Sequence, residues 1–401
     1  MPATARRALV IGGSLAGLLS ANLLLRAGWD VEIFEQSSAE LSGRGAGIIS
    51  HSELFEALSR IGIPLDASYG VDVPVRATHD RGGATIATLA LRQVFTTWGR
   101  LHQLLREAFP RAGYHFGATF ARLAQDEHGV TAHFAGGATA RGELLVGADG
   151  VRSSVRAQLA PAARPRYAGY VGWRGLAEEN ALTPATHREL IDRFIFCLPP
   201  REMMLCYPVA GFTHSTRPGE RCLNFVWYRP AHEAHELPHL CTDVDGRRHD
   251  VSIPPPLIRP EVLAELRHAA REWLSPQLAE VVRRTRQPFF QPIYDVESAR
   301  MAFGRVALAG DAAFVARPHV GMGVTKGAGD GMALADCLAE SAGDVPSALA
   351  RYESRRLRFN AAVVAHGREL GAWLEGQTTP EARRHHTPEA VMAEIAVTRD
   401  Y

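Results

Sequence analysis

The sequence predicts an α/β protein that carries an inserted, mostly antiparallel α+β domain and ends in a long helix. The first evidence is a strand, glycine turn, apolar helix and second strand between residues 8 and 35. The second is that residues 167–291 contain short strand-like runs and polar, proline-rich loops without regular alternation of strands and helices. The third is an alanine- and arginine-rich stretch after Asp344, whose composition is typical of a helix.

The first unit has clear boundaries. Its first strand covers residues 8–11, its helix runs to Arg26, and its second strand over residues 31–34 is followed by Glu35. The helix stops at Gly28, because glycine suits the left-handed residue that closes a helix. The turn between strand and helix consists of Gly12, Gly13, Ser14, Leu15, Ala16 and Gly17. This order is that of a Rossmann-like βαβ unit.

The turn and the acidic residue predict a dinucleotide site. Gly12 permits the tight bend, and Gly17 lets helix and strand approach closely. The free N–H groups at the start of the helix attract a pyrophosphate. Glu35, followed by Gln36, lies where such folds place the carboxylate that holds a ribose hydroxyl. The middle glycine of the usual pattern is Ser14 here, which is small and can donate a hydrogen bond.

The composition is that of an ordinary globular protein. The 401 residues suffice for two domains, and the net charge of +1 gives no basic excess for binding nucleic acid. Five scattered cysteines form no C-x-x-C pair, which favours reduced thiols over a metal site. Lys326 is the only lysine, so a Schiff-base mechanism would have a single candidate.

The N-terminus imitates a secretory signal, because Arg6-Arg7 precedes an apolar run. Cleavage there would remove the glycine turn. The run also contains Asn22 and several glycines, which suit a membrane span poorly. We therefore expect a cytoplasmic protein that has no membrane partner.

A glycine-rich loop follows the second strand and begins with Ser42, Gly43 and Arg44. Its place directly after the acidic residue favours contact with a bound cofactor, although repeated glycines also occur in plain surface loops. Beyond it, Ser52 is expected to cap a helix over residues 53–61 that Gly62 closes.

Two further strand-to-helix edges lie later in the chain. Residues 143–146 form a predicted strand that runs into Asp149-Gly150, where Asp149 could equally be a turn and capping residue. Residues 305–309 form another strand, which ends in Gly310-Asp311. The loop after it contains Pro318 and His319 and leads to a helix that starts with Gly321, Met322, Gly323 and Val324.

We assign these edges to one discontinuous domain made of residues 1–70, 97–165 and 293–345. Residues 71–96 and 166–292, where alternating or irregular strands dominate, form a second domain that would bind substrate. Residues 346–401 form a C-terminal helical segment, and the last of them are expected to be loosely packed.

The order and spacing of the three edges resemble the single-component FAD-dependent aromatic hydroxylases that share the p-hydroxybenzoate hydroxylase fold. The resemblance covers nearly the whole chain. Within that family, the run YAGYVGWRG from Tyr167 to Gly175, the Gly12-Gly13-Ser14 turn and Arg317-Pro318-His319 are similar to the dihydroxypyridine hydroxylases. Ser14 is accordingly a feature of this subfamily.

The resemblance implies FAD as a tightly but non-covalently bound cofactor. Glu35 would hold the adenosine ribose, and Leu123 would lie beside the adenine. Arg100, at the start of its helix, would contact the FAD phosphates or the ribitol.

The later edges would hold the flavin half of FAD. Asp149-Gly150 would serve both FAD and the nicotinamide cofactor, and Asp311 would bind the ribitol. Residues 321–324 would place backbone N–H groups at the pyrimidine edge of the flavin, where a helix N-terminus favours an anion. Thr325 stands where the family commonly has asparagine.

The resemblance also implies a reaction in two halves. NAD(P)H would bind transiently and reduce FAD, and O2 would then form a flavin hydroperoxide that hydroxylates an electron-rich aromatic or hydroxypyridine ring. A homodimer would be usual for the family. His51, Tyr207 and His319 are the candidates for assisting deprotonation of the ring hydroxyl. A structural role for each is the open alternative, because flavin chemistry needs no essential acid or base.

Three other functions compete with this one. A flavin-dependent halogenase needs a lysine away from the flavin and a W-x-W-x-I motif, but the motif is absent and Lys326 lies inside the predicted flavin-facing helix. An FAD-dependent reductase or dehydrogenase stays open. So does a non-catalytic flavin-binding regulatory protein, for which Ser14 and Thr325 are the only hints.

Overall fold

The computed structural model describes residues 6–41, 47–250, 252–342, 344–399 and 401. The strands are β1 Arg7–Ile11, β2 Asp30–Phe34, β3 Gly47–Ser50, β4 Val71–His79, β5 Thr85–Thr97, β6 Tyr114–His115, β7 Phe120–Gln125, β8 Val130–Phe134, β9 Thr139–Gly142, β10 Leu144–Gly147, β11 Arg166–Glu178, β12 Arg193–Cys197, β13 Met203–Val209, β14 Cys222–Pro230, β15 Phe289–Glu297, β16 Ala302–Phe303, β17 Val306–Leu308 and β18 Phe314–Val315. The helices are α1 Leu15–Arg26, α2 Ser52–Ile61, α3 Trp98–Ala108, α4 Ser154–Leu159, α5 Pro184–Leu190, α6 Glu236–Leu240, α7 Pro260–Trp273, α8 Pro276–Arg284, α9 Gly323–Glu340, α10 Val345–Gly371, α11 Pro380–Arg384 and α12 Pro388–Glu394.

A six-stranded sheet is built on the predicted nucleotide-binding unit. Its order is β16-β17-β10-β1-β2-β6, and all neighbours are parallel except β16 and β17. Helix α1 packs against α9 and α3, and apolar side chains such as Val10, Leu18 and Leu308 are fully buried between the layers. Because β1, β10 and β17 are parallel neighbours, the turns that follow them meet at one edge of the sheet.

A nine-stranded sheet has the order β18-β15-β11-β14-β13-β12-β4-β5-β3, with only β12 and β4 parallel. Helices α5, α7 and α8 cover one face, where Trp173 and Trp227 are buried. The other face, which we call the site face, carries Tyr170 and Tyr228 and packs against Met322 just before α9. Alternate residues of each strand therefore belong to different cores. A separate three-stranded meander consists of β7, β8 and β9.

The predicted fold class is confirmed by this arrangement of parallel sheet, mostly antiparallel sheet and long C-terminal helix. The domain division stays a prediction. The nine-stranded sheet also includes β3, β18 and part of β15, which lie in segments that the sequence assigned to the first domain. Within the described ranges, no helix combines the length and apolar character that crossing a bilayer requires.

The expected start of α2 is wrong. Ser52 does not cap α2 but is its first residue, and His51 precedes it as the N-cap residue without a side-chain capping bond. Gly62 does close the helix in a left-handed conformation, with φ of 91°.

The C-terminal segment is well packed, contrary to the expectation of loose packing. Val391, Met392 and Ile395 are buried against the site face. Arg76, fully buried on β4, donates hydrogen bonds to the carbonyl oxygens of Met392 at 2.8 Å and Ile395 at 2.7 Å. These bonds satisfy carbonyl groups that the end of α12 leaves without partners. The nine-stranded sheet thus both buries the apolar side chains of this short segment and binds its backbone.

Candidate active site

The structure brings the three predicted edges together. A backbone hydrogen bond of 2.8 Å joins the ends of β1 and β10, and one of 3.0 Å joins those of β10 and β17. Gly12 has φ of +102°, and a β-carbon added to it would lie 2.5 Å from the carbonyl oxygen of Ala148. A β-carbon added to Gly310 would lie 2.5 Å from Cβ of Ala16. We call residues 12–17, 149–150 and 310–311 the strand-end edge.

Glu35 closes over the glycine turn. Its Oε2 accepts a hydrogen bond from the Gly13 N–H at 2.8 Å, and its Oε1 accepts one from the Ser37 N–H at 2.8 Å. The Tyr114 hydroxyl donates to the carbonyl oxygen of Gly13 at 3.1 Å. The buried carboxylate therefore shapes the turn, and its contact with a ribose stays a prediction. Gln36 beside it is exposed.

Asp149 makes the contacts of a turn and capping residue. Its Oδ2 accepts a hydrogen bond from the Ser154 N–H at 2.7 Å at the start of α4, and burial raises the pKa of its carboxyl group. Gly150 has φ of +78° and nothing within 4 Å of an added β-carbon. Arg156 donates to the carbonyl oxygen of Ala312 at 2.8 Å, which ties the second edge to the third.

Asp311 is exposed, yet the surrounding protein desolvates its side chain and raises the pKa of its carboxyl group. Asp330 on α9 raises that pKa further, whereas the positive charge of Lys326 opposes the rise. Lys326 is fully buried, and its Nζ has no hydrogen-bond partner among the described residues. Burial lowers the pKa of Lys326, whereas the nearby carboxyl groups of Asp330 and Asp311 raise it.

The remaining predicted cofactor residues differ in what surrounds them. Arg100 lies in the first turn of α3, but its Nη2 donates to the Ser68 hydroxyl at 3.0 Å. Leu123 is buried on β7, and the Gln158 amide bonds both its N–H at 2.9 Å and its carbonyl at 2.8 Å. Only the Leu123 side chain is left for a ligand.

The predicted loop residues Ser42, Gly43 and Arg44 lie outside the described residues.

Helix α9 begins close to the predicted position. The loop before it and its first turn contain the predicted residues Pro318, Gly321, Met322, Gly323 and Val324. Gly321 is left-handed with φ of +65°, and a β-carbon added to Gly323 would have nothing within 4 Å. Free N–H groups of the first helical turn thus border open space. The Thr325 hydroxyl oxygen is buried and has no partner within the described part of the chain.

A second group of side chains lies on or against the site face of the nine-stranded sheet. The members of this group, which we call the aromatic cluster, are Tyr170, Arg174, Tyr207, Asn224, Tyr228 and His319. Strand pairing places Tyr207 opposite Asn224. Oδ1 of Asn224 accepts a hydrogen bond from the Gly47 N–H at 2.9 Å. Its Nδ2 and the Nε of Arg174 are buried and have no protein partner among the residues described.

Two of the three predicted catalytic candidates belong to this cluster. Nε2 of His319 lies 2.8 Å from the Tyr170 hydroxyl. Tyr207 is buried, which raises the pKa of its hydroxyl. His51 lies on the other side of the loop, where its Nε2 would be 3.4 Å from a β-carbon on Gly321. Burial lowers the pKa of His51, and it lowers that of His319 to about 3 with a further contribution from nearby cations. All three side chains are therefore neutral at about pH 7.

The sequence did not identify four members of the cluster: Tyr170, Arg174, Asn224 and Tyr228. The alternation of Tyr170, Gly172 and Arg174 indicates a shared strand face. The opposing residues on β14 depend on strand register, which places Gly172 opposite Tyr228. No local pattern in the sequence encodes that register.

The strand-end edge fits a dinucleotide cofactor. Its glycines let the three turns pack closely, because a β-carbon at Gly12, Gly17 or Gly310 would clash with neighbouring atoms of the chain. The carboxylates of Glu35 and Asp311 are acceptors for hydroxyl groups. The open N-terminus of α9 favours an anionic ligand. Fold and site together define a dinucleotide-binding protein.

Known proteins share this architecture. A family model described as FAD binding domain matches residues 6–220 and 261–366, and a second, FAD binding domain-like, matches 167–295. The chain is 31% identical over 375 residues to 2,6-dihydroxypyridine 3-monooxygenase of Paenarthrobacter nicotinovorans, covering 94% of this chain and 93% of that protein. It is 26% identical to 6-hydroxynicotinate 3-monooxygenase of Bordetella bronchiseptica, covering 94% of each. The solved structure of 2,6-dihydroxypyridine-3-hydroxylase from Arthrobacter nicotinovorans matches with a TM-score of 0.87 at 30% identity, covering 94% of this chain and 96% of that one.

The chain therefore belongs to the FAD binding domain family and, within it, to the FAD-dependent monooxygenases of aromatic and heteroaromatic rings. The predicted resemblance to these hydroxylases, and to their dihydroxypyridine members, is confirmed. FAD is the cofactor that this family membership implies.

Proposed function

We propose that the protein hydroxylates a hydroxypyridine or a closely related electron-rich ring, with NAD(P)H as electron donor and O2 as the source of oxygen. In the balanced reaction, ring–H, O2, NAD(P)H and a proton yield ring–OH, water and NAD(P)+. Bound FAD would supply the redox chemistry that carries two electrons from NAD(P)H to O2. The chain itself holds the cofactor, orients the ring and keeps bulk water out.

The proposed substrate class is supported mainly by buried hydrogen-bond donors in the aromatic cluster that have no protein acceptor among the described residues. Arg174 offers a buried Nε–H, and Asn224 offers an amide N–H because its Oδ1 is already engaged. A buried donor without a partner costs about 1–3 kcal/mol. A ligand with oxygen acceptors would relieve that cost. A hydroxypyridine supplies such oxygen atoms on a small ring.

We assign the strand-end edge to FAD. The glycine turn and the start of α1 would hold the pyrophosphate, and Glu35 would contact the ribose. Asp311 would hold the ribitol, and Asp149-Gly150 would lie along the cofactor and serve the nicotinamide donor. The first turn of α9 would face the pyrimidine edge of the flavin.

We also propose a cytoplasmic homodimer. All five cysteines are buried and free, which suits a reducing compartment. A molar mass measured by light scattering at twice that of the chain would support the dimer.

The test begins with the purified protein and its absorption spectrum, which should show bound flavin. NAD(P)H oxidation is then followed with 2,6-dihydroxypyridine and with 6-hydroxynicotinate, the ring compounds named for two relatives. We expect at least one of them to stimulate oxidation and to gain one oxygen atom, measured by mass spectrometry. Retained flavin without stimulated oxidation would overturn the proposed substrate class, and an absence of flavin would overturn the cofactor assignment.

A further inference from the structure

His319 is fixed on several sides. The residue is fully buried, and its carbonyl oxygen accepts a hydrogen bond from the Ala396 N–H at 2.7 Å. Its ring centroid lies 4.3 Å from that of Tyr228 and 5.7 Å from that of Tyr170. The imidazole therefore has little freedom to rotate. Its neighbouring atoms decide which of its two nitrogens carries the proton and which accepts a hydrogen bond.

Nε2 of His319 lies 2.8 Å from the Tyr170 hydroxyl, and either group could be the donor. The surroundings of the hydroxyl decide between them. A β-carbon added to Gly371 would lie 2.7 Å from the Tyr170 oxygen and 2.9 Å from Nη1 of Arg317, so these two polar atoms flank the same glycine. A guanidinium has donors only. Among the described residues, Nε2 is therefore the only acceptor within reach of the tyrosine proton.

Arg317 is a permanent cation held in place. Its Nη2 donates to Asp295 at 2.9 Å and to Glu375 at 2.6 Å, and its guanidinium carbon lies 5.8 Å from the Tyr170 ring. Burial alone would lower the pKa of Arg317, but the hydrogen bonds to Asp295 and Glu375 raise it. Burial raises the pKa of Tyr170 well above its usual value, so its hydroxyl stays protonated. A cation near the tyrosine oxygen favours a hydroxyl whose proton points away, toward His319.

We propose that Tyr170 and Arg317 hold His319 in the tautomer with its proton on Nδ1, so that His319 donates a hydrogen bond to a ring oxygen of the substrate and does not act as a base. This inference rests on the proposed function. Nδ1 is buried and has no partner among the described residues, so a ligand acceptor would satisfy it. The charged and titratable groups that face the ring are Arg317 in its own loop, Arg174 on β11 and His386 after α11. Tyr170 and Arg317 are positioning residues, because they act through His319.

Two variants of the holoenzyme distinguish whether Nδ1 or Nε2 of His319 donates a hydrogen bond to the substrate. The amide of His319→Asn lies near the position of Nδ1, whereas that of His319→Gln lies near Nε2. Binding of 2,6-dihydroxypyridine is followed by the change in flavin absorbance. We expect His319→Asn to keep a dissociation constant within about threefold of the unmodified protein and His319→Gln to weaken binding about 10–100-fold. Equal losses in both variants, or the opposite order, would overturn the assignment of Nδ1 as the donor.

Nitrogen NMR of histidine-labelled holoenzyme tests the tautomer without any substrate. The His319 signals are identified among those of the 17 histidines by their loss in His319→Asn. We expect a protonated Nδ1 and an unprotonated Nε2 that do not change between about pH 6 and 8, and a mixture of tautomers in Tyr170→Phe. A protonated Nε2, or titration within that range, would overturn the proposal. If the spectra agree but 2,6-dihydroxypyridine does not bind, the tautomer stands and the proposed substrate is wrong.

Discussion

The strand-end edge consists mainly of backbone, whereas the aromatic cluster consists of side chains. The edge consists of backbone in three turns, each of which is continuous in sequence and ends a parallel strand. The cluster consists of side chains from three antiparallel strands and a distant loop. An added β-carbon at Gly12, Gly17 or Gly310 would clash with neighbouring atoms of the chain, whereas a substitution in the cluster changes individual hydrogen bonds. We therefore expect FAD binding and ring binding to respond separately to substitution.

The largest effect is expected at Gly17. A β-carbon there would lie 1.9 Å from the carbonyl oxygen of Gly12, so Gly17→Ala must displace the turn. We expect loss of FAD and a free energy of unfolding lowered by more than about 3 kcal/mol, measured by flavin absorbance and urea unfolding. The matched control is Gly28→Ala, because Gly28 has φ of +86° but nothing within 4 Å. It should cost about 1–2 kcal/mol and keep FAD. Equal FAD loss in both variants would contradict the account.

Asp311→Ala should weaken FAD binding about 10–100-fold, because a hydrogen bond to a charged group contributes about 1.5–3 kcal/mol. Flavin fluorescence titration of the apoprotein measures the change. Asp336→Ala is the control, since Asp336 is a partly exposed residue of α9 that pairs with Arg60. Affinity for FAD that does not differ between the two variants would remove Asp311 from the cofactor site.

The aromatic cluster should make the protein sensitive to acid. His319 has a pKa of about 3 in the folded protein against 6.5 for the free side chain. Its contribution is fully present above pH 6.5 and is lost as the pH falls toward 3, since the unfolded chain binds the proton more readily. At pH 5 the loss is about 2 kcal/mol for this residue. His319→Asn should remove that part of the pH dependence in urea unfolding measured at pH 5 and pH 7.5, and an unchanged dependence would contradict the burial argument.

Arg174→Leu is expected to give the smallest effect. It should raise the KM for the ring substrate about tenfold, which corresponds to the loss of about 1.4 kcal/mol, while FAD affinity stays the same. The control is Arg141→Leu, because Arg141 is an exposed arginine that pairs with Asp126. A parallel loss of FAD in Arg174→Leu would show that the two regions are not separable.

The same contrast explains what the sequence could predict. The turn before α1, the position of Glu35 and the starts of α4 and α9 follow from patterns within a few residues, so these features and the fold class were predicted. The hydrogen bond from the Gly13 N–H to the Glu35 carboxylate was not predicted, because hydrogen-bond partners depend on the folded geometry. Arg100 was assigned by resemblance, and its contact with Ser68 could not be read from helical spacing.

The aromatic cluster could be predicted only in part. His319 and Tyr207 were singled out, but Asn224 and Tyr228 reach the site through strand register. The C-terminal segment was misjudged for a similar reason, because its partner Arg76 lies more than 300 residues earlier in the chain. The spacing of Val391, Met392 and Ile395 is nevertheless typical of a buried helical face, and it was the available signal.

We expect the aromatic cluster to select a ring with oxygen acceptors. The most direct test is the dissociation constant of the holoenzyme for 2,6-dihydroxypyridine compared with that for 2,6-diaminopyridine, which has the same shape but places donors at both positions. Flavin absorbance reports both. We predict that the diamino compound binds at least about 100-fold more weakly, because its N–H groups would face Arg174 and Asn224 donors. Equal binding of the two compounds would contradict the account.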